Sequence, residues 1–323
     1  MNNQTSLGKK ILQNPNFVLP LALAVMFFWG SLFPMIKIGY AAFGVNTAFI
    51  PSILLFAGIR FVACGLLLIG GVSVRDRRLR LPQGKALGYI VMIALTGYVL
   101  HYACTYIGVS HLPGSKTAIL KQIGSLFIIC FAFLFRREDR FTPAKLVGGL
   151  LGFFSIIVIN LSGLRFSMSL YDALILCASF CSVASVVFSK NAYDTYDPMY
   201  VTAWAQLLGG IVLLTLGISL KGSISTVTPK SLGVMAYMCF ASCMGYALWN
   251  CLLKYNDMSR LTVIKFTESL FSALCSWALL GENIFKLTYL ISFVLVCVGI
   301  LISGGHLRLP AKNRQEGTKP CRP

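Results

Sequence analysis

Apolar stretches of roughly 17–25 residues recur along the chain with short polar breaks between them, the length a helix needs to cross a hydrocarbon core. They fall at about 18–38, 50–71, 86–108, 116–135, 144–163, 169–190, 199–220, 231–254, 260–280 and 286–304, which predicts ten membrane-spanning helices. No polar interval is long enough to hold a separate soluble domain. The stretch Met1 to Phe17 is polar, and the apolar run behind it is longer than a secretory h-region. It therefore reads as a retained first helix. Residues 306–323 are basic and contain prolines, so a disordered cytoplasmic tail is expected there.

Composition agrees with the pattern. Of 323 residues, 57% are hydrophobic and 12% charged, with a mean hydropathy of +0.77. A soluble domain carries about 25% charged residues. The net charge of +18 would suggest nucleic acid if the cations shared a face, but nearly all sit in the gaps between apolar runs, where they orient helices. With the N-terminus inside, the inner segments hold 19 lysines and arginines and the outer segments 6. That bias places both termini in the cytoplasm of a cell membrane, plasma or bacterial inner. Ten of the eleven cysteines, Cys64, Cys239 and Cys243 among them, lie inside apolar runs and read as small packing residues. No cofactor is expected.

The chain also repeats itself. A shift of 144 residues carries Ser115, Lys121, Ser125, Phe127, Glu138 and Leu146 onto Ser259, Lys265, Ser269, Phe271, Glu282 and Leu290. Upstream a shift of 148 carries Gly97-Tyr98 onto Gly245-Tyr246. Each copy spans five helices, residues 1–163 and 164–305. Five is odd, so the second copy enters the membrane inverted, a recurrent transporter design with the substrate site near the midplane. The expected fold is an all-α membrane protein of two inverted five-helix repeats.

At these residues the chain resembles the EamA-type branch of the drug/metabolite transporter superfamily. Trp29-Gly30-Ser31, running on to Ile36-Lys37, is similar to that family's first-helix signature. Leu280-Gly281-Glu282 resembles the close of its ninth helix, and Arg60 and Gly148-Gly149-Leu150-Leu151-Gly152 also fit. Leu32 departs from the polar residue often found there. The resemblance implies a carrier of small metabolites, some members being exporters of amino acids.

Charged side chains within spans are costly and mark candidate sites. Lys121 and Lys265 occupy equivalent repeat positions, each with a serine four residues on, Ser125 and Ser269. Together they suggest a cationic pocket for a carboxylate or phosphate. Lys265 could instead pair with Glu268, three residues on. Glu268 is the acid set well inside a span and is a candidate for coupling to protons or another ion. Tyr98, His101 and Tyr102 share their spacing with Tyr246, Trp249 and Asn250. With Trp29 they suggest an aromatic pocket, the alternative being helix packing. Arg60 aligns with Gln206, and Gly148 and Gly152 have the spacing of a helix contact.

A secondary transporter, working by alternating access on a small metabolite such as an amino acid, is thus the leading expectation. A sugar-phosphate or nucleotide-sugar exchanger is the alternative within transport. The rival of another class is an integral-membrane enzyme, against which stands the lack of HExxH, GxSxG and an acidic Mg²⁺ cluster, while the lack of a Walker-type loop argues against direct ATP coupling.

Overall fold

The structure is a computed structural model of the chain, describing Leu12 and residues 14–109, 114–136, 139–159, 169–281 and 287–303. The expected tail, the boundary near residue 163, Glu138 and Glu282 lie outside these residues. The helices are α1 (Pro15–Phe43), α2 (Ile50–Asp76), α3 (Gly84–Ile93), α4 (His101–Val109), α5 (Gly114–Phe135), α6 (Pro143–Ile159), α7 (Leu170–Tyr193), α8 (Pro198–Ser219), α9 (Pro229–Tyr255), α10 (Met258–Ile264), α11 (Thr267–Leu280) and α12 (Leu287–Ser303). Among the described residues the sole extended pairing is one isolated bridge between Val45 and Ile224.

Helix ends are set by local polar groups that satisfy backbone amides. Ser169 and Asp172 form a reciprocal box at the start of α7, and Thr228 and Ser231 another at the start of α9. Asn14 and Asp197 cap α1 and α8. Gly44 closes α1 at φ +59°, a left-handed conformation that glycine adopts without strain.

Among the described residues, seven helical runs are long and apolar enough to cross a membrane. The remaining expected spans appear as three shorter apolar helices, Leu120–Phe135, Pro143–Val158 and Leu287–Ser303. Residues 110–113, 160–168 and 282–286, beside them, are outside the described set.

Two expected helices differ from regular α-helix. The third is interrupted by a π-helical segment, Ala94–Leu100, that joins α3 to α4. The ninth, read as one run over 260–280, divides at Lys265-Phe266 into α10 and α11. There the ladder slips to tighter bonds: Phe266 N–H donates to Val263 at 3.3 Å and Glu268 N–H to Lys265 at 3.1 Å. The Thr267 hydroxyl takes the Ile264 carbonyl at 2.8 Å, competing for a ladder acceptor.

The main packing partners are α2 with α8, α6 with α12, α1 with α9 and α11, and α7 with α4 and α5. Lipid tails give helices no hydrophobic reason to associate, so close backbone approach must supply the attraction. Glycines provide it along α2 and α8. A Cβ on Gly58 would stand 2.4 Å from the Leu214 nitrogen, and one on Gly65 2.6 Å from that of Leu207. From the other side, Gly210 and Gly217 would each meet a backbone nitrogen, of Val62 and Leu55, at 2.6 Å. Gly148 and Gly299 face each other's carbonyls in the same way between α6 and α12. Cys64, Cys239 and Cys243 fill the seam of α2 with α9, their thiols bonding backbone carbonyls.

Gly65→Val should therefore cost about 2 kcal/mol through overpacking. Gly70→Val, whose added Cβ meets nothing within 4 Å, should be neutral. Thermal melts of the two variants in detergent would read the difference.

Candidate functional site

The helix α1 carries the centre of the site. Its Trp29 ring lies 5.4 Å from both the Tyr246 and the Trp249 rings of α9. Gly245 makes this possible, since a Cβ there would stand 2.5 Å from the indole nitrogen. That nitrogen is buried and makes no hydrogen bond to a described residue. Tyr246 stacks in turn at 5.4 Å on Tyr98. Tyr98 and Tyr102 flank Phe61 of α2 at 5.4 and 4.7 Å. Such tilted aromatic contacts add about 0.5–1.5 kcal/mol each beyond buried area. The rings make one continuous wall contributed by α1, α2, α9 and the rod of α3 and α4.

The two halves meet inside this wall. Tyr102 and Tyr246 are 144 positions apart, and their hydroxyls hydrogen-bond at 3.2 Å. The π segment sets Tyr98 and the first turn of α4 against that partner. Gly97 within it lets α7 approach, its Cβ position being 2.3 Å from Ser185 Oγ. Single-turn π features often mark functional sites.

Both lysines approach α1. The Lys265 Nζ stands 5.8 Å from the centre of the Trp29 ring, and the Lys121 Nζ 5.9 Å from that of Phe33. Both are within cation–π range, and Trp29 and Phe33 are one turn apart on the same helix. Lys121, Lys265 and Glu268 are each partly exposed. Lys121 lies within electrostatic range of Glu268 and Lys265, and His101 within range of both lysines. The alternative of a Lys265–Glu268 ion pair is not realised: ion pairs of the described residues lie elsewhere, at the loops that bear the arginines. Gly30 allows α11 to reach α1 here, a Cβ being 2.8 Å from the Ser272 nitrogen.

Two of the expected pocket residues are engaged in packing. His101 Nδ1 donates to the Ala178 carbonyl of α7 at 2.9 Å, so that nitrogen carries a proton. The Asn250 amide donates to Thr202 Oγ1 of α8 at 2.7 Å. Ser179 stitches α7 to α5 by accepting from the Gly124 amide at 2.7 Å and donating to the Lys121 carbonyl at 2.8 Å, which fixes the lysine's backbone. Phe33 and Phe61 joined the site without having been singled out from the sequence. The signal for Phe33 was its place one turn after Trp29, and for Phe61 its place beside Arg60.

A family model described as the EamA-like transporter family matches residues 16–161 and again 169–305. The "Uncharacterized transporter YvbV" of Bacillus subtilis is 26% identical over 91% of this chain and 93% of its own length. The "Uncharacterized inner membrane transporter YedA" of Escherichia coli K12 is 26% identical over 91% and 94%. A "Probable amino-acid metabolite efflux pump" of Salmonella typhimurium is 25% identical over 92% and 98%. One solved structure, described only as a crystal structure of a protein, superposes with a TM-score of 0.72 at 18% identity. It covers 90% of this chain and 97% of its own, a likeness of fold.

A double-mutant cycle on Tyr102→Phe and Tyr246→Phe should give a coupling of about 1 kcal/mol in thermal stability, the net worth of one hydrogen bond. Additive effects would mean that the two hydroxyls do not meet.

Proposed function

The chain belongs to the EamA-like transporter family, and on that premise we propose that it is a secondary transporter, an exporter of a small zwitterionic or anionic metabolite such as an amino acid. Transport proceeds by alternating access of two inverted five-helix repeats, with ten spans in all and both termini in the cytoplasm. Two facts support the inverted repeat. The family model matches each half separately. The packing of α1 on α9 and α11 is repeated, with the halves exchanged, by that of α7 on α4 and α5.

The observation that carries the substrate reading is the convergence of Lys121 and Lys265 on rings of α1, with Glu268 within electrostatic range of Lys121. Ionised, two lysines and one carboxylate leave a single positive charge at the site. A substrate carboxylate suits the lysines, and its ammonium suits Glu268. The aromatic wall of Trp29, Tyr98, Tyr102, Tyr246 and Trp249 takes the apolar part. Protonation of Glu268 removes the partner of the ammonium, so proton entry and substrate binding compete. That competition is what an exchange of protons for substrate requires. His101 and Asn250 hold the wall in position through α7 and α8. The amino-acid class draws support from the relative named as an efflux pump of amino-acid metabolites.

The paired lysines also favour a second reading, exchange of phosphate compounds, because two cations suit a phosphate dianion. Proteoliposome flux separates the two. With amino acids as substrates, Lys121→Ala and Lys265→Ala should each lower uptake about 10–100-fold, the worth of a lost charge-assisted hydrogen bond. Flux of sugar phosphates alone would support the second reading, and no solute flux in either assay would overturn both. Glu268→Gln should leave flux independent of pH. Full flux with an unchanged pH profile in that variant would remove the carboxylate from the coupling step.

A further inference from the structure

The most heavily bonded charges in the described residues lie outside the transport site, at the end of the bundle that carries the arginine-rich loops. Lys145, in the first turn of α6, has a side chain 3% exposed. Its ammonium donates to Asp139 Oδ1 at 2.7 Å, the Arg140 carbonyl at 2.8 Å and Asp257 Oδ2 at 3.2 Å. All three of its protons are used. Asp139, 4% exposed, also accepts from the Ser259 backbone N–H at 3.0 Å and from the Ser259 hydroxyl. The cluster thus bonds the connection from α5 to α6, in the first half, to the connection from α9 to α10, in the second.

Other contacts close the same end. Arg136 holds Asp194 with both terminal nitrogens, Arg75 reaches Asp197, and the Trp204 indole donates to the Arg80 carbonyl. Two of these, like the cluster itself, are charge pairs between the halves. A buried ion pair is a discrete device. Breaking it by removing one partner strands a charge, so it is either made or fully separated into water.

The residue order does not repeat this set of charges in the other copy. At the shift of 144 that relates the halves, Ser259 corresponds to Ser115, but Asp139 corresponds to Asn283, Lys145 to Tyr289 and Asp257 to Pro113. Inverted halves exchange conformations when a carrier turns over, so the two end states differ in free energy only through such departures from the repeat. We propose that Asp139, Lys145, Asp257 and Ser259 form an ionic latch that shuts the arginine-rich end, and that the neutral residues at the mirror-image positions leave the empty carrier biased to open at the other end. The latch rests on the alternating-access reading and adds to it which end is held and by what.

Hydrogen–deuterium exchange on the full chain in lipid vesicles tests this. The double variant Asp139→Asn/Lys145→Met removes the pair without stranding a charge on either of its two members, and Ser259→Ala weakens it more gently. In both variants exchange should rise in residues 139–146 and 256–264, by about tenfold in the double variant and less in Ser259→Ala. It should fall at the far ends of the same helices, residues 114–120 and 277–281. Lys145→Arg should match the parent. Exchange that rises at both ends, or that leaves the far ends unchanged, overturns the latch. Solute flux in the same vesicles separates the two ideas: flux without the reciprocal pattern sinks the latch alone, whereas loss of both sinks alternating access itself.

Discussion

A lysine in the middle of an apolar helix has to face away from hydrocarbon, and this requirement orders most of what the chain does. Lys121 stands well inside α5 and Lys265 at the break between α10 and α11, both within apolar runs, where snorkelling to the interface is a long reach. Both turn toward α1 and rest near aromatic rings there, at 5.9 and 5.8 Å. The helices that carry them, α5 and the pair α10 and α11, must then surround a shared polar interior. The aromatic wall completes that interior with groups that are apolar in body and polar at the tip.

Close packing makes such an interior sustainable. The glycine seams of α2 with α8 and of α6 with α12 bring backbones together where water-driven association is unavailable. Glycines also serve the site: Gly245 lies under Trp29, Gly209 under Tyr98 and Gly30 against α11. The seams cross between halves and bind the two copies into one bundle. The charged cluster at one end and the hydroxyl pair of Tyr102 with Tyr246 in the wall are contacts of another kind, directional bonds that are either made or absent.

Much of this could be read from residue order. Apolar run length located the helices, and the repeat set Tyr98 level with Tyr246 and Lys121 level with Lys265. The motif Trp29-Gly30-Ser31 brought the family into view. What stayed hidden was local geometry set by tertiary contact. The π segment at Ala94–Leu100 has no periodicity of its own, because one widened turn hardly alters an apolar pattern. The break at Lys265 depends on a threonine hydroxyl competing for one carbonyl. The partner of the His101 Nδ1 is a backbone carbonyl of a helix 77 residues away, which no side-chain pattern encodes. Lys145 counted among the orienting loop cations, and only the fold brings it together with Asp139 and Ser259.

On the proposed function, two lysines from opposite halves serve one anionic group. A thermal-shift screen of the purified protein against amino acids and other small anionic metabolites, run in parallel on Lys121→Ala and Lys265→Ala, tests it most directly. At least one metabolite should raise the melting temperature of the parent and of neither variant. A metabolite that stabilises all three proteins equally would contradict it.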